Sequence, residues 1–214
     1  LAFHKEQGAA CTIAMREVEW KEASRFGLML VNPDHTISEF EEKPEKPRSN
    51  KASMGIYIFT WSKLREYLVA DEANPASSND FGKDVIPAMH GAGEKMVAYQ
   101  FDAYWRDVGT IDSLWEANMD LLSPSADINL DDPNWKIYAR NSGAAPQFLS
   151  AASTVTNSLV TEGCRVDGKV DWTVLFANTN VAKDAAVTYS IVMPGAVIGK
   201  GAEVKYAIIG ENAV

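Results

Sequence analysis

An α/β domain followed by a left-handed parallel β-helix is the fold this sequence predicts, and three observations carry it. From Leu1 to about Leu122 strand-like and helix-like segments alternate, which is the pattern of a sheet layered with helices. At Ser123-Pro124-Ser125 the composition shifts, and Asp127 to Pro133 is acidic and turn-rich. After about Ala151 the aliphatic spacing becomes six. Val181 and Val187 are six apart, and after a slip of one residue Val192, Ile198 and Val204 continue the spacing. Hexads of that kind bury one aliphatic residue per face of a triangular prism and put small residues at its corners.

Taken in order, the strands expected in the first region are Thr12–Val18, Phe26–Val31, Thr36–Glu41, Gly55–Phe59, Met96–Phe101 and a short one near Tyr104–Arg106. The expected helices are Ser62–Val69, Phe81–His90 and Ile111–Leu122. The last has Thr110 as N-cap, Asp112 in its first turn, and Ile111, Leu114, Trp115, Asn118, Leu121 and Leu122 on one face. It is expected to pack on the sheet and hold the loop around Asp107. Residues 1–122 then form one domain, 123–150 a connector in which Trp135, Ile137 and Tyr138 can pack on a neighbour, and 151–214 the β-helix. Val155, Leu159 and Val166 mark an early, irregular coil, so about three coils are expected. The pattern stops at Val214, so its cap is expected to be missing.

The 214 residues, 46% hydrophobic, suffice for a sizeable core. A net charge of -9 argues against nucleic acid or an anionic membrane as partner. No segment approaches the roughly 20 apolar residues that span a bilayer, and Leu1–Gln7 does not read as a signal peptide, so a cytoplasmic address is expected. Cys11 and Cys164 belong to no CxxC pair and read as buried thiols.

Four polar signatures sit where apolar strands end: Glu41-Glu42-Lys43-Pro44, Ser53-Met54-Gly55-Ile56-Tyr57, Asn79-Asp80-Phe81-Gly82-Lys83-Asp84 and Tyr104-Trp105-Arg106-Asp107-Val108-Gly109. Together they point to a sugar-phosphate site. Lys43 can neutralise a phosphate while a neighbouring carboxylate takes sugar hydroxyls, or the run through Glu45, Lys46 and Arg48 is a solvated turn. Ser53 reads as preceding a strand in which Gly55 lets the backbone approach a ligand, or as a strand cap with Tyr57 in the core. Asp80 is an N-cap or a hydroxyl acceptor. Asp107 is the strongest single candidate, because Mg²⁺ takes only one or two carboxylates beside phosphates and water; the alternative is an ion pair with Arg106 or a turn aspartate. The three histidines are scattered without ligand spacing, which argues against zinc.

Read in order, these signatures with Glu22-Ala23-Ser24-Arg25-Phe26-Gly27 and Met193-Pro194-Gly195-Ala196 resemble the C-terminal part of the bacterial glucose-1-phosphate adenylyltransferases. The resemblance implies a nucleotide-diphospho-sugar transferase (Rossmann-like) domain ahead of the β-helix, and the reaction ATP + glucose 1-phosphate → ADP-glucose + pyrophosphate, which feeds glycogen synthesis. It implies that Lys43 binds the sugar phosphate and Glu42 a sugar hydroxyl. Ser53, Tyr57, Asp80 and Trp105 would line the same pocket, with Lys43 and Asp107 the principal catalytic charges. It further implies Mg²⁺ on Asp107 and a second, upstream aspartate, allosteric control, and a homotetramer or a hetero-oligomer with a related subunit.

The family's Gly-rich ATP loop would lie before Leu1, so the 214-residue chain is expected to be inactive alone. A regulatory or assembly subunit, or a transferase using another nucleoside triphosphate, are the alternatives; a hexad acyltransferase is disfavoured because no histidine follows His90.

Overall fold

In the computed structural model residues 1–124, 127–130, 132–138 and 143–214 are described, and the chain divides into two units, Leu1–Asp102 and Ala103–Val214. The first unit opens with helix α1, Ala2–Gln7, which the sequence reading did not anticipate. The sheet comprises β1 (Cys11–Glu17), β2 (Gly27–Val31), β3 (Ile37–Glu42), β4 (Lys51–Phe59) and β5 (Met96–Gln100), in the order β3-β2-β4-β1-β5. Only β1 and β5 pair in parallel.

Strand alternation sends Cys11, Ile13 and Met15 to one face, where Val85, Ile86 and Met89 close over them with Leu64, Tyr67 and Leu68 alongside. Those covering residues come from α2 (Trp61–Glu72), a π-helical turn (Phe81–Val85) and α3 (Ile86–Gly91). The continuous helix expected over Phe81–His90 is therefore two segments. Pro87 lies in the first turn of α3, where it has no N–H to give and its ring would press on the carbonyl of Lys83. A widened preceding turn, closed by Val85 N–H on Asp80 O at 3.2 Å, avoids that clash.

β4 begins four residues earlier than expected, so Ser53 lies within the strand rather than before it. Ile13 pairs with Tyr57 but Met15 with Ser53, so β4 carries extra residues between them. Gly55, at φ 70, takes the left-handed conformation this bulge needs.

On the opposite face His4 of α1 is buried beneath an apolar cleft of about 260 Å³ lined by Phe3, Ala14, Met54, Ile58, Tyr99 and others. Its Nδ1 lies 2.8 Å from Thr12 Oγ1 and its Nε2 3.3 Å from Thr60 Oγ1. Thr60 gives its own proton to Ala9 O, so Nε2 donates and Nδ1 accepts, which is the neutral imidazole. Burial holds His4 below the ordinary 6.5. The unfolded chain then takes up the proton first as pH falls. Stability should be level above pH 6.5, fall below it, and level again once the folded state also protonates. Urea denaturation from neutral to mildly acid pH measures this, and His4→Gln should remove that component of the slope.

In the second unit no strand forms near Tyr104–Arg106; Phe101 to Gly109 has no regular structure. Helix α4, Ile111–Asp120, follows with the expected Thr110 cap, in a capping box with Ser113. Its docking corrects the expectation. Met119, with Trp115 and Leu122, packs on Val174 and Ile191 of the coiled region, and Trp115 Nε1 donates to Tyr189 O at 2.8 Å. Ile111, expected on the apolar stripe, is 78% exposed.

The coiled region is a parallel β-solenoid of three four-stranded faces. One face stacks Phe148–Leu149, Arg165–Val166, Asn180–Val181 and Val197–Ile198. The next stacks Thr154–Thr156, Lys169–Asp171, Ala186–Thr188 and Glu203–Lys205, and the third Leu159–Val160, Val174–Leu175, Ile191–Val192 and Ile208–Ile209. This makes about four coils where about three were expected, and the first starts at Phe148, ahead of Ala151. The aliphatics of the first coil are only partly enclosed, Leu149 being 47% and Leu159 42% exposed.

The one-residue slip in the hexads recurs in every coil at one corner. There Asn157, Trp172, Tyr189 and Tyr206 each turn the chain with φ between 44 and 50. A left-handed aromatic residue costs about 1–3 kcal/mol. Stacking of Trp172 on Tyr189 (5.9 Å) and Tyr189 on Tyr206 (5.0 Å) offsets part of that. Trp135, Ile137 and Tyr138 of the connector are 82%, 65% and 90% exposed. Residues 125, 126, 131 and 139–142, within the expected connector, lie outside the described residues.

Both cysteines are buried free thiols, as the sequence suggests. Burial pushes Cys11 up to about 12, which makes it inert rather than nucleophilic.

Candidate functional site

The end of β3 carries the first cluster. Alternation along β3 separates its two terminal glutamates. Glu41 pairs with Arg48, which also holds Glu39, whereas Glu42 lies toward the π-helical turn. Glu42 Oε1 is 3.6 Å from Lys43 Nζ. Lys43 leaves the strand at φ 48, a left-handed conformation unusual for a non-glycine residue, with its N–H bonded to Phe26 O at 3.1 Å. Its side chain is 63% exposed and ends in solvent beside Glu42.

The bulge in β4 brings Ser53 and Tyr57 together. The Ser53 hydroxyl donates to Tyr57 OH at 3.5 Å and accepts from Gly55 N–H at 3.3 Å. Burial raises Tyr57 above its ordinary value, and the negative charges of Glu42 and Asp80 act in the same direction.

Asp80 serves as the N-cap that the sequence allows. Its Oδ1 accepts from Gly82 N–H at 2.8 Å and Lys83 N–H at 2.9 Å. The loop before it is held by Asp84, whose Oδ2 accepts from Ser78 Oγ, Ser78 N and Asp80 N. Those bonds, the Ser78 hydroxyl foremost, hold Asp84 below the usual carboxylate range. Capping uses one oxygen of Asp80 and leaves the residue exposed at the cluster's edge.

Phe81 is the residue the sequence reading passed over. The sequence marks it only as the start of a helix, yet its ring stacks on Tyr57 at 5.9 Å and contacts Phe59 at 5.7 Å, and it is 37% exposed. An aromatic at the exposed first turn of a capped helix was the signal. Within the first unit, then, Glu42, Lys43, Ser53, Tyr57 and Asp80 gather around an aromatic floor.

Trp105 and Asp107 belong to the second unit, where both are half-buried. Their segment is anchored on α4. Tyr104 OH donates to Asp120 Oδ2 at 2.9 Å, and Arg106 binds Asp120 at 2.8 Å and Glu116 at 2.5 Å. These α4 carboxylates are therefore partners that hold Arg106. Gly109 lies beside the Asp107 carboxylate, where an added methyl would be 3.1 Å from Oδ2. Among the described residues no three His, Cys, Asp or Glu side chains converge as a metal cage. Asp107 offers a single hard oxygen donor, which suits a cation that completes its shell from phosphates and water.

Comparison with known proteins gives these clusters a context. The nucleotidyl transferase family profile matches residues 1–124, and the GlmU-like C-terminal hexapeptide profile matches 146–214, identifying the solenoid as a left-handed hexapeptide β-helix. Curated proteins named glucose-1-phosphate adenylyltransferase from Bacillus cereus, Bacillus mycoides and Bacillus thuringiensis are each 51% identical over all 214 residues. The chain spans 57% of the length of each of them. No helix among the described residues is long and apolar enough to cross a membrane. With its profile covering more than half of the sequence, the chain belongs to the nucleotidyl transferase family.

Proposed function

We propose that this chain is the sugar-phosphate part of a glucose-1-phosphate adenylyltransferase, making ADP-glucose and pyrophosphate from ATP and glucose 1-phosphate. The observation that carries the reading is the cluster of Lys43, Glu42, Ser53, Tyr57 and Asp80 around Phe81, in a chain 51% identical to proteins of that name. Lys43 Nζ binds the phosphate of the sugar. Glu42 and Asp80 accept from sugar hydroxyls, Ser53 and Tyr57 fix the same ring by hydroxyl contacts, and the Phe81 face takes its apolar side.

A phosphate oxygen of glucose 1-phosphate attacks the α-phosphorus of ATP in line. The new O–P bond forms as the bond to the β-phosphate oxygen breaks, and pyrophosphate leaves with the electron pair. Two anions must approach, so positioning and charge offset supply most of the acceleration. Lys43 lowers the repulsion on the sugar side. Mg²⁺, held through Asp107 and an aspartate upstream of Leu1, would offset charge on the reacting phosphates. The ATP-binding loop also lies upstream in this reading. A cytoplasmic homotetramer, or a hetero-oligomer with a related subunit, is the assembly we propose.

The test is pyrophosphate release by the full-length protein from glucose 1-phosphate with each nucleoside triphosphate in turn. ATP should be used fastest. Faster turnover with UTP would overturn the adenylyl assignment, and none with any nucleotide would favour a regulatory subunit.

A further inference from the structure

Two glycines flank the Glu42 carboxylate, and neither is required by its backbone. Gly27 in β2 and Gly82 in the π-helical turn are both buried, and neither has the positive φ that favours glycine. Glycine costs stability in helices and strands alike relative to residues with a side chain, by about 1 kcal/mol against alanine in a helix. Space is the remaining reason for it. A methyl group on Gly82 would lie 2.5 Å from Glu42 Oε2 and 2.8 Å from its Cδ, with Asp80 Oδ1 farther off at 3.3 Å; one on Gly27 would lie 2.7 Å from the same Oε2 and 2.7 Å from Phe40 Cζ.

We propose that Gly27 and Gly82 are positioning residues for sugar-phosphate recognition, forming a two-sided cradle that holds the Glu42 carboxylate in its binding orientation. The proposal rests on the reading of Glu42 as a ligand of the sugar. The other oxygen, Oε1, faces Lys43 Nζ at 3.6 Å, so the orientation of Glu42 also bears on where the phosphate-binding ammonium sits. Both contacts across the cradle are made by the far end of a flexible side chain. An added methyl can therefore be accommodated by swinging the carboxylate away while the fold persists. Gly82 is the cleaner probe, because at Gly27 the packed Phe40 ring must also move.

The experiment compares Gly82→Ala, Glu42→Ala and the double variant in the full-length enzyme, reading KM for glucose 1-phosphate, KM for ATP, kcat and melting temperature. Gly82→Ala should raise KM for glucose 1-phosphate about tenfold, the effect of losing one hydrogen bond to a charged group. KM for ATP and the melting temperature should stay near wild type. On the Glu42→Ala background the same change should have a much smaller effect, no more than about twofold, since the displaced group is already gone and only the 3.3 Å approach to Asp80 Oδ1 remains. An unchanged KM in Gly82→Ala, while Glu42→Ala raises it, would overturn the cradle and leave the site reading intact. A Glu42→Ala enzyme with unchanged KM would overturn the site reading on which the cradle rests. A drop in melting temperature that accounts for lost activity, or additive effects in the double variant, would reduce Gly82 to a packing residue and count against the proposal.

Discussion

Asp107→Asn in the full-length protein is expected to lower kcat by about two to three orders of magnitude, with KM for glucose 1-phosphate changed by no more than a few-fold. Asparagine keeps the shape of the side chain and removes its charge. The segment that carries position 107 is held by Tyr104 and Arg106 on Asp120 and Glu116, none of which the substitution touches. The loss should lie in the chemical step, with thermal denaturation run alongside to confirm that the variant is folded. A neutral amide is a poorer ligand for Mg²⁺, so the variant should also need a higher concentration of the metal for half-maximal rate. Wild-type kcat in a folded Asp107→Asn enzyme would remove Asp107 from the reaction and leave it the turn aspartate that its neighbourhood with Gly109 also allows.

Lys43 and Asp107 stand out in the sequence because each is a charge placed where apolar text stops, and charges at such points need few neighbours to be noticed. The α/β pattern was legible for a similar reason. Cys11, Ile13 and Met15 alternate into a core whose other walls, Val85, Ile86 and Met89, have helical spacing, so local periodicity and burial agree. What the sequence hid depends on contacts between distant segments. The bulge that gathers Ser53 and Tyr57 exists only in the pairing of β4 with β1, and the crowding of Gly27 and Gly82 on Glu42 joins three separate stretches. The docking of α4 was misjudged because an amphipathic stripe states that a face is buried without naming its partner. The solenoid's irregular hexads resolve once the corner residues are known. Asn157, Trp172, Tyr189 and Tyr206 turn the chain one residue early, and three of them are aromatics that turn propensities would not select.

Lys43→Ala should raise KM for glucose 1-phosphate by about one to two orders of magnitude, the effect of removing a charged hydrogen bond to phosphate, while KM for ATP moves by a few-fold at most. The geometry separates this from a loss of structure. The Lys43 side chain is 63% exposed and, among the described residues, its ion pair is with Glu42 at 3.6 Å, so little packing is lost on truncation. The backbone argues in the same direction. At φ 48 a lysine is held in a conformation that glycine adopts without penalty. Lys43→Gly should consequently be at least as stable as wild type in thermal denaturation and as deficient as Lys43→Ala in binding the sugar phosphate. A stability gain joined to an affinity loss at one position is the signature of a residue retained for its ligand and not for the fold. Equal increases in KM for ATP and glucose 1-phosphate in either variant would instead mark Lys43 as a general charge on the site, and the phosphate-specific role would be lost.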